Sequence, residues 1–121
     1  MNTRDFICRM PKVELHVHLE GSIQPATLLK LAKRNNVSLP AHTVEGLHKW
    51  YEFSGFDHFI EVYFAICSCI RSADDLELIT NEFIKDRADQ NIRYSEVIFT
   101  PFTHLPHIPL DDQLAAINRA R

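Results

Sequence analysis

This sequence has no long hydrophobic run, no excess of basic residues and few cysteines. No apolar stretch approaches the roughly 18 residues that indicate a membrane-spanning helix, and the N-terminal segment MNTRDFICRM is too polar for a secretory signal. The net charge is −3, and the lysines and arginines are scattered, so no basic surface for nucleic acid is expected. We therefore expect a cytoplasmic protein that binds neither membranes nor nucleic acids.

The cysteines do not form a recognisable disulfide or metal pattern. An odd number, three, is unusual for a secreted domain of this size. Cys67 and Cys69 form a CxC pattern rather than the CxxC of zinc knuckles, and they lie within the apolar segment YFAICSCI. Because a free cysteine packs like a small hydrophobic side chain, we expect both to be structural.

The segment from Lys12 to Glu20 alternates strictly between apolar and polar residues, which predicts a β-strand. Gly21 breaks the strand, and Pro25 suits the first turn of a helix that follows. One face of the strand carries Val13, Leu15, Val17 and Leu19, and the other carries Glu14, His16, His18 and Glu20.

The rest of the chain reads mainly as helices with one more strand. Helices are predicted over 25–35, 57–70 and 75–89, the last capped by Ser72 or Asp74, and another begins at Leu110. The segment IRYSEVIFTP predicts a second strand that Pro101 stops, and THLPHIP predicts a loop. Residues 35–43 predict a loop, and residues 44–55 a short helical or irregular segment.

This order predicts an α/β fold with a parallel sheet. The chain's 121 residues, 45% hydrophobic and 24% charged, suit one globular domain. Two strands do not make a complete parallel sheet, however, and a barrel of alternating strands and helices needs about 250 residues. We expect residues 1–121 to be the N-terminal part of a larger single domain.

His16 and His18 form a candidate metal-binding pair. Side chains two apart on a strand project from the same face, and zinc accepts neutral imidazole nitrogen at about 2.0 to 2.1 Å. A catalytic zinc usually has three protein ligands, so the pair is half a site. The pattern alone fits a solvated strand face equally well. The position at the C-terminal end of a strand, before Gly21 and a helix, favours a ligand site.

The whole segment PKVELHVHLEGSIQPATLLKLAKRN resembles the N-terminal signature of the adenosine and adenine deaminases, within the metal-dependent amidohydrolase superfamily. The resemblance continues in the same order through GFDHFIEVYF, ITNEFIKDRADQNIRYSEVIFTP and LAAINRAR. It covers most of the chain from Pro11 to Arg121. The first block is the most specific, because it joins the histidine pair to an acid, a glycine and a helix.

The resemblance implies a (β/α)₈ barrel of the TIM type, in which this chain supplies two strands and the intervening helices. It implies one zinc ion held by His16 and His18, and a purine close to His18, Glu20 and Gly21. The implied reaction of purine metabolism is hydrolytic: zinc lowers the pKa of a water that attacks C6, and ammonia leaves. The helix with Phe56, Phe59, Ile60 and Tyr63 matches the family's apolar flap, or simply packs on the barrel.

No catalytic residue is expected within this chain. In the family, the general acid and base glutamate, a third histidine ligand, a further histidine and paired aspartates lie on later strands. By that comparison we expect the 121-residue chain alone to be inactive.

Glu20 bears on the choice of substrate. Adenosine deaminases typically carry aspartate at the matching position, to contact the ribose, whereas glutamate is more familiar in adenine deaminases. The longer side chain favours adenine and leaves adenosine open. His104 and His107 form an HxxH pattern in a proline-rich loop, where we expect both to be solvated.

Two alternatives remain. One is a non-catalytic, truncated chain; the other is a metallophosphoesterase that also begins with HxH, although LEGSIQP does not resemble the Ser and Asp-Gly elements that follow the pair there. Because uncovered strand edges and helix faces invite association, we also expect that the chain can self-associate.

Overall fold

The computed structural model describes residues 1 to 121. The chain forms two strands, β1 (Lys12–His18) and β2 (Ile92–Ile98), and a single 3-10 turn at Glu20–Ser22 follows β1. None of its helices has the length and apolar character needed to cross a membrane. The helices are α1 (Thr3–Arg9), α2 (Pro25–Asn35), α3 (Val44–Trp50), α4 (Phe56–Ser68), α5 (Ala73–Asp89), α6 (Pro101–His104) and α7 (Leu110–Ala120).

β1 and β2 form a two-stranded parallel sheet, which confirms the predicted α/β class. His18 lies opposite Ile98, so the carboxyl ends of both strands meet at one edge. The backbone N–H of Leu19 extends the pairing, donating to the carbonyl of Ile98 at 2.9 Å. A register shift between Glu14 and Val17 interrupts the ladder just before the site.

The ends of the helices follow from local chemistry. Pro25 opens α2, where its missing N–H costs no hydrogen bond, and Asn36 ends the helix in a left-handed conformation, with φ of 53°. At the start of α5, Ser72 and Asp75 form a capping box, in which each side chain accepts from the other's backbone N–H. These signals explain why the predicted bounds of both helices are nearly correct.

The hydrophobic core includes the C-terminal end of β1, where Val17 and the following Leu19 are buried. Burial of each leucine or isoleucine contributes about 1.5–3 kcal/mol, so this end of the strand is firmly anchored. By contrast, Val13 and Leu15 near its start are 63% and 60% exposed. The core cluster contains Val17, Leu19, Ile23, Leu28, Leu31, Ala32, Leu39, Leu47, Val62, Ile66, Cys69, Ile70, Leu76, Ile79, Phe83, Ile108 and Ala116.

Cys67 and Cys69 are buried and free, which confirms that they pack as apolar side chains. Burial raises the pKa of Cys67 to about 12. The thiol therefore stays protonated and unreactive at neutral pH.

Two helices were not predicted. α1 lies in the polar N-terminal segment, where the side chain of Asn2 caps it by accepting from the N–H of Asp5. It buries no residue, so the sequence had no apolar periodicity to reveal it. The segment THLPHIP is not all loop, because α6, a short helix that Pro101 opens, ends at His104.

Candidate functional site

A cleft of about 740 Å³ opens beside the carboxyl ends of the two strands. In α/β folds with parallel strands this is the usual place for a ligand. The cleft has a polar side, to which β1 and β2 contribute, and an apolar wall from α4. Its lining residues include Glu14, His16, His18, Gly21, His48, Tyr51, Phe59, Ile60, Tyr63, Arg87, Ile98 and Thr100.

His16 and His18 both line the cleft and both are exposed. Their ring centres are 5.3 Å apart. Two imidazoles on one tetrahedral ion, each with a metal to nitrogen distance of about 2.1 Å, have ring centres about 5 Å apart. The separation of the two ring centres therefore matches that of two imidazoles on one zinc ion. The chain gathers no group of three or more histidine, cysteine or acidic side chains that could hold a metal.

Gly21 faces both His18 and the apolar wall. A Cβ atom at this position would lie 3.6 Å from the Cβ of His18 and 3.9 Å from Cε2 of Tyr63. These are ordinary van der Waals distances, so a side chain would narrow the cleft without a clash.

Glu20, predicted as part of the first strand, begins the 3-10 turn after β1 and does not line the cleft. Its side chain is fully buried, and its Oε1 accepts a hydrogen bond from the backbone N–H of Thr100 at 3.0 Å. The same oxygen lies 3.1 Å from Nε2 of His104, while Oε2 is buried without a hydrogen-bond partner. Burial alone would raise the pKa of this carboxyl, but the bonds from His104 and Thr100 outweigh it and hold the pKa below its usual value.

His104 corrects a prediction, because it is fully buried rather than solvated. Its ring stacks on Phe99 with ring centres 5.5 Å apart and planes 10° apart. A histidine in a proline-rich segment gives no sign of this burial, since its contact with Glu20 joins residues 84 positions apart in the sequence. His107 is exposed, as predicted.

Thr100 and Tyr63 connect the two strands at the cleft. The hydroxyls of Thr100 and Tyr63 are hydrogen-bonded at 2.9 Å, and the edge of the Tyr63 ring meets His18 with ring centres 6.1 Å apart. Burial raises the pKa of Tyr63 to about 12, so the phenol keeps its proton at neutral pH. Thr100 was not predicted as a site residue, although it lies two residues after β2, at the same edge of the sheet as His18.

Aromatic side chains of α4 form the apolar wall. Phe59 stacks with Tyr63 at 6.4 Å between ring centres, and with Phe56 at 6.2 Å. Phe59, Ile60 and Tyr63 line the cleft, whereas Phe56 does not and is 74% exposed. Three of the four residues in the predicted apolar flap are therefore in place to meet a ligand.

Comparison with known proteins identifies the family. The family model described as adenosine deaminase matches residues 11–121. The chain belongs to the adenosine deaminase family. Among curated relatives, the adenine deaminase of Cupriavidus pinatubonensis is 36% identical over 117 residues, which are 96% of this chain and 33% of that protein. The chain thus spans about a third of the length of this relative.

Solved structures agree on the fold. The adenine deaminase of Arthrobacter aurescens has a TM-score of 0.80 and 29% identity over 91% of this chain and 34% of its own. An amidohydrolase from Burkholderia ambifaria, solved with bound zinc, has a TM-score of 0.83 and 27% identity over 99% of this chain and 34% of its own. The two parallel strands and their helices thus match part of a TIM-barrel amidohydrolase, as the sequence predicted.

Proposed function

We propose that this protein is a zinc-dependent aminohydrolase that converts a 6-aminopurine to the 6-oxopurine and ammonia, with adenine as the favoured substrate. The observation that carries the proposal is the pair His16 and His18, which lines a cleft at the carboxyl ends of parallel strands in a deaminase-family chain. When bound, zinc would act as a Lewis acid and lower the pKa of a water for attack at C6. We further propose a cytoplasmic location, which the free cysteines favour.

Each side chain has a distinct task in this proposal. His16 and His18 supply two neutral imidazole ligands, and His18 also borders the purine. Phe59, Ile60 and Tyr63 offer an apolar surface for the flat base and exclude water from it. Gly21 leaves room for the ligand beside His18, because it adds no side chain to the cleft.

We also propose that Glu20 contacts the substrate through Oε2, although this buried atom does not line the cleft of the 121-residue chain by itself. A buried carboxylate oxygen without a partner is costly, and such atoms are often explained by a ligand or a water. The adenine preference is supported by glutamate at this position and by the names of the Cupriavidus and Arthrobacter relatives.

The remaining groups of the site are proposed to lie outside these residues. The chain matches about a third of the length of its relatives, and the third metal ligand and the general acid and base would come from the other two thirds. We therefore expect no turnover by the 121-residue chain alone. A non-catalytic protein is the alternative, and the phosphoesterase has no support from the comparisons.

The first experiment measures zinc affinity by competition with a chelating dye. We expect His16→Asn and His18→Asn each to weaken zinc binding at least about tenfold, because each removes one of the two ligands. His42→Asn is the matched control, since His42 is exposed and lies outside the cleft. Equal affinities in all four proteins would remove the metal site from the proposal.

The second experiment measures ammonia release from adenine and adenosine. The chain is tested alone and in a chimera, where it replaces the matching third of the C. pinatubonensis adenine deaminase. We expect ammonia only from the chimera, faster with adenine. A zinc-loaded, folded chimera that deaminates neither purine would contradict the proposed function. Turnover by the chain alone would contradict the placement of the remaining groups.

A further inference from the structure

We propose that His104 is a positioning residue that sets the substrate preference by fixing the orientation of the Glu20 carboxylate. The inference rests on the proposed function. Glu20 begins the 3-10 turn after β1 and His104 ends α6, so the contact joins that turn to the segment after the second strand. Both side chains are fully buried.

The bonds from Thr100 and His104 occupy only one of the two carboxylate oxygens of Glu20. Oε1 is taken by the Thr100 N–H and by His104 Nε2, at 3.0 and 3.1 Å, while Oε2 has no partner. A carboxylate turns about its last side-chain torsion, which is broad and roughly two-fold. Two donors on the same oxygen remove that freedom, and the free oxygen is held in one direction.

The imidazole is itself held in place. Phe99 stacks against one face of the ring, and the backbone carbonyl of His104 accepts from the N–H of Ile108 at 2.8 Å. The buried Gln113 side chain on α7 donates to the carbonyls of Ile108 and Pro101, at 2.7 and 3.2 Å. These bonds fix both flanks of the segment that carries His104, so its ring reaches Glu20 already oriented.

The same contact reaches the cleft through Thr100. The Thr100 backbone is held by Glu20, and its hydroxyl is bonded to Tyr63, whose ring meets the edge of His18. Loss of the His104 donor therefore changes the orientation of Glu20 first. As the carboxylate turns, its bond to the Thr100 amide also opens more often, so that amide reports the change.

Two substitutions at His104 test its hydrogen-bond donor separately from its aromatic ring. His104→Gln keeps an N–H donor at similar reach, whereas His104→Phe keeps a flat ring against Phe99 and removes the donor. His107→Phe is the matched control, because His107 is exposed. All variants are first compared by their thermal midpoints.

The first readout needs no activity. Hydrogen exchange of the Thr100 amide is followed by NMR in the 121-residue chain. We expect His104→Phe to speed this exchange at least about tenfold more than that of neighbouring amides, and His104→Gln to change it by no more than about twofold. Exchange in His104→Phe at the wild-type rate would overturn the proposal.

The second readout is the ratio of kcat/KM for adenine to that for adenosine in the chimera. We expect His104→Phe to lower this ratio about tenfold through KM, with kcat nearly unchanged, and His104→Gln to restore it. An unchanged ratio in His104→Phe, or an equal loss in His104→Gln, would overturn the proposal. If the wild-type chimera deaminates no purine, the proposed function fails, and the amide exchange alone decides the role of His104.

Discussion

The Glu20 side chain is completely buried and negatively charged, a combination that is rare in proteins. Its Oε1 is satisfied by Thr100 and His104, and its Oε2 is not satisfied by the protein. A buried polar atom left without a partner typically costs about 1–3 kcal/mol. This cost supports the proposal that Oε2 contacts the substrate.

A shorter acid at this position tests that explanation. Because aspartate lacks one methylene group, Glu20→Asp cannot keep the carboxylate against both Thr100 and His104. We expect the ratio of adenine to adenosine turnover in the chimera to fall about tenfold, as expected when a substrate contact is lost. Glu45→Asp, on an exposed site of α3, is the control. An unchanged ratio would remove Glu20 as a determinant of specificity.

At this scale the sequence predicted some site residues and missed others. His16 and His18 were found because alternation on a strand puts them on one face, and the cleft contains both. His104 and Thr100 were missed because their contacts with Glu20 are set by how the chain closes, 80 or more positions away. Local spacing carries no information about such contacts.

Among the helices, α5 has the most elaborate start. Asp75, the third residue of α5, is fully buried and accepts from Arg34, Asn35 and the backbone N–H groups of Arg71 and Ser72. Burial would raise the pKa of Asp75, but these bonds outweigh it and the pKa is lowered. The cap thus joins α5 to the end of α2.

The lowered pKa of Asp75 predicts how the stability of the fold depends on pH. A carboxyl whose pKa is lower in the folded state stabilises the fold above its unfolded pKa of about 3.9, and this contribution is lost as the pH falls through the folded value. We expect Asp75→Asn to lose about 2 kcal/mol at pH 7 and to flatten the acid dependence below pH 4. Urea unfolding followed by circular dichroism measures both.

Asp74→Asn is the control for this prediction, because Asp74 is the exposed neighbour in the same first turn. Equal stabilities of the two variants at pH 7 would show that the buried cap does not stabilise the fold.

Elements with their own start signals and an apolar face were predicted well. Pro25 opens α2 and Ser72 caps α5, and both helices bury a row of leucine and isoleucine side chains. α1 and α6 escaped prediction because α1 buries no residue and α6 has a single turn. Their positions depend on the capping contacts of Asn2 and on the fold around His104.

At the scale of the whole molecule, the two-stranded sheet leaves unpaired strand edges at which chains can associate. With two strands, each has one edge whose backbone groups are not paired within the sheet. The start of β1 exposes Val13 and Leu15, and β2 exposes Tyr94 and Val97, at 54% and 43%. Unpaired edges beside exposed apolar side chains favour association between chains.

We therefore expect the isolated chain to self-associate at micromolar concentration. Leu15→Lys should shift the equilibrium towards the monomer, since it places a charge on the exposed side of β1. Sedimentation velocity over a range of concentrations measures the shift. Ile84→Lys is the control, because Ile84 is comparably apolar, 39% exposed and on α5. A monomeric wild type at all concentrations would contradict this expectation.

The parallel class was predicted from the order of elements, and the comparisons extend it to the TIM-barrel amidohydrolases. The exposure of Val13 and Leu15 could not be predicted, because alternation identifies the two faces of a strand and not what covers them. That depends on neighbours in space.

The bond between Glu20 and Thr100 also has a kinetic meaning. It joins residues 80 positions apart, whereas α2, α4 and α5 form from contacts within a few turns. Closing so long a loop costs chain entropy before the new contacts can stabilise it, which slows the meeting of the two strand ends. We therefore expect the helices to form first and the cleft with its histidine pair to take shape later, when the two strand ends meet.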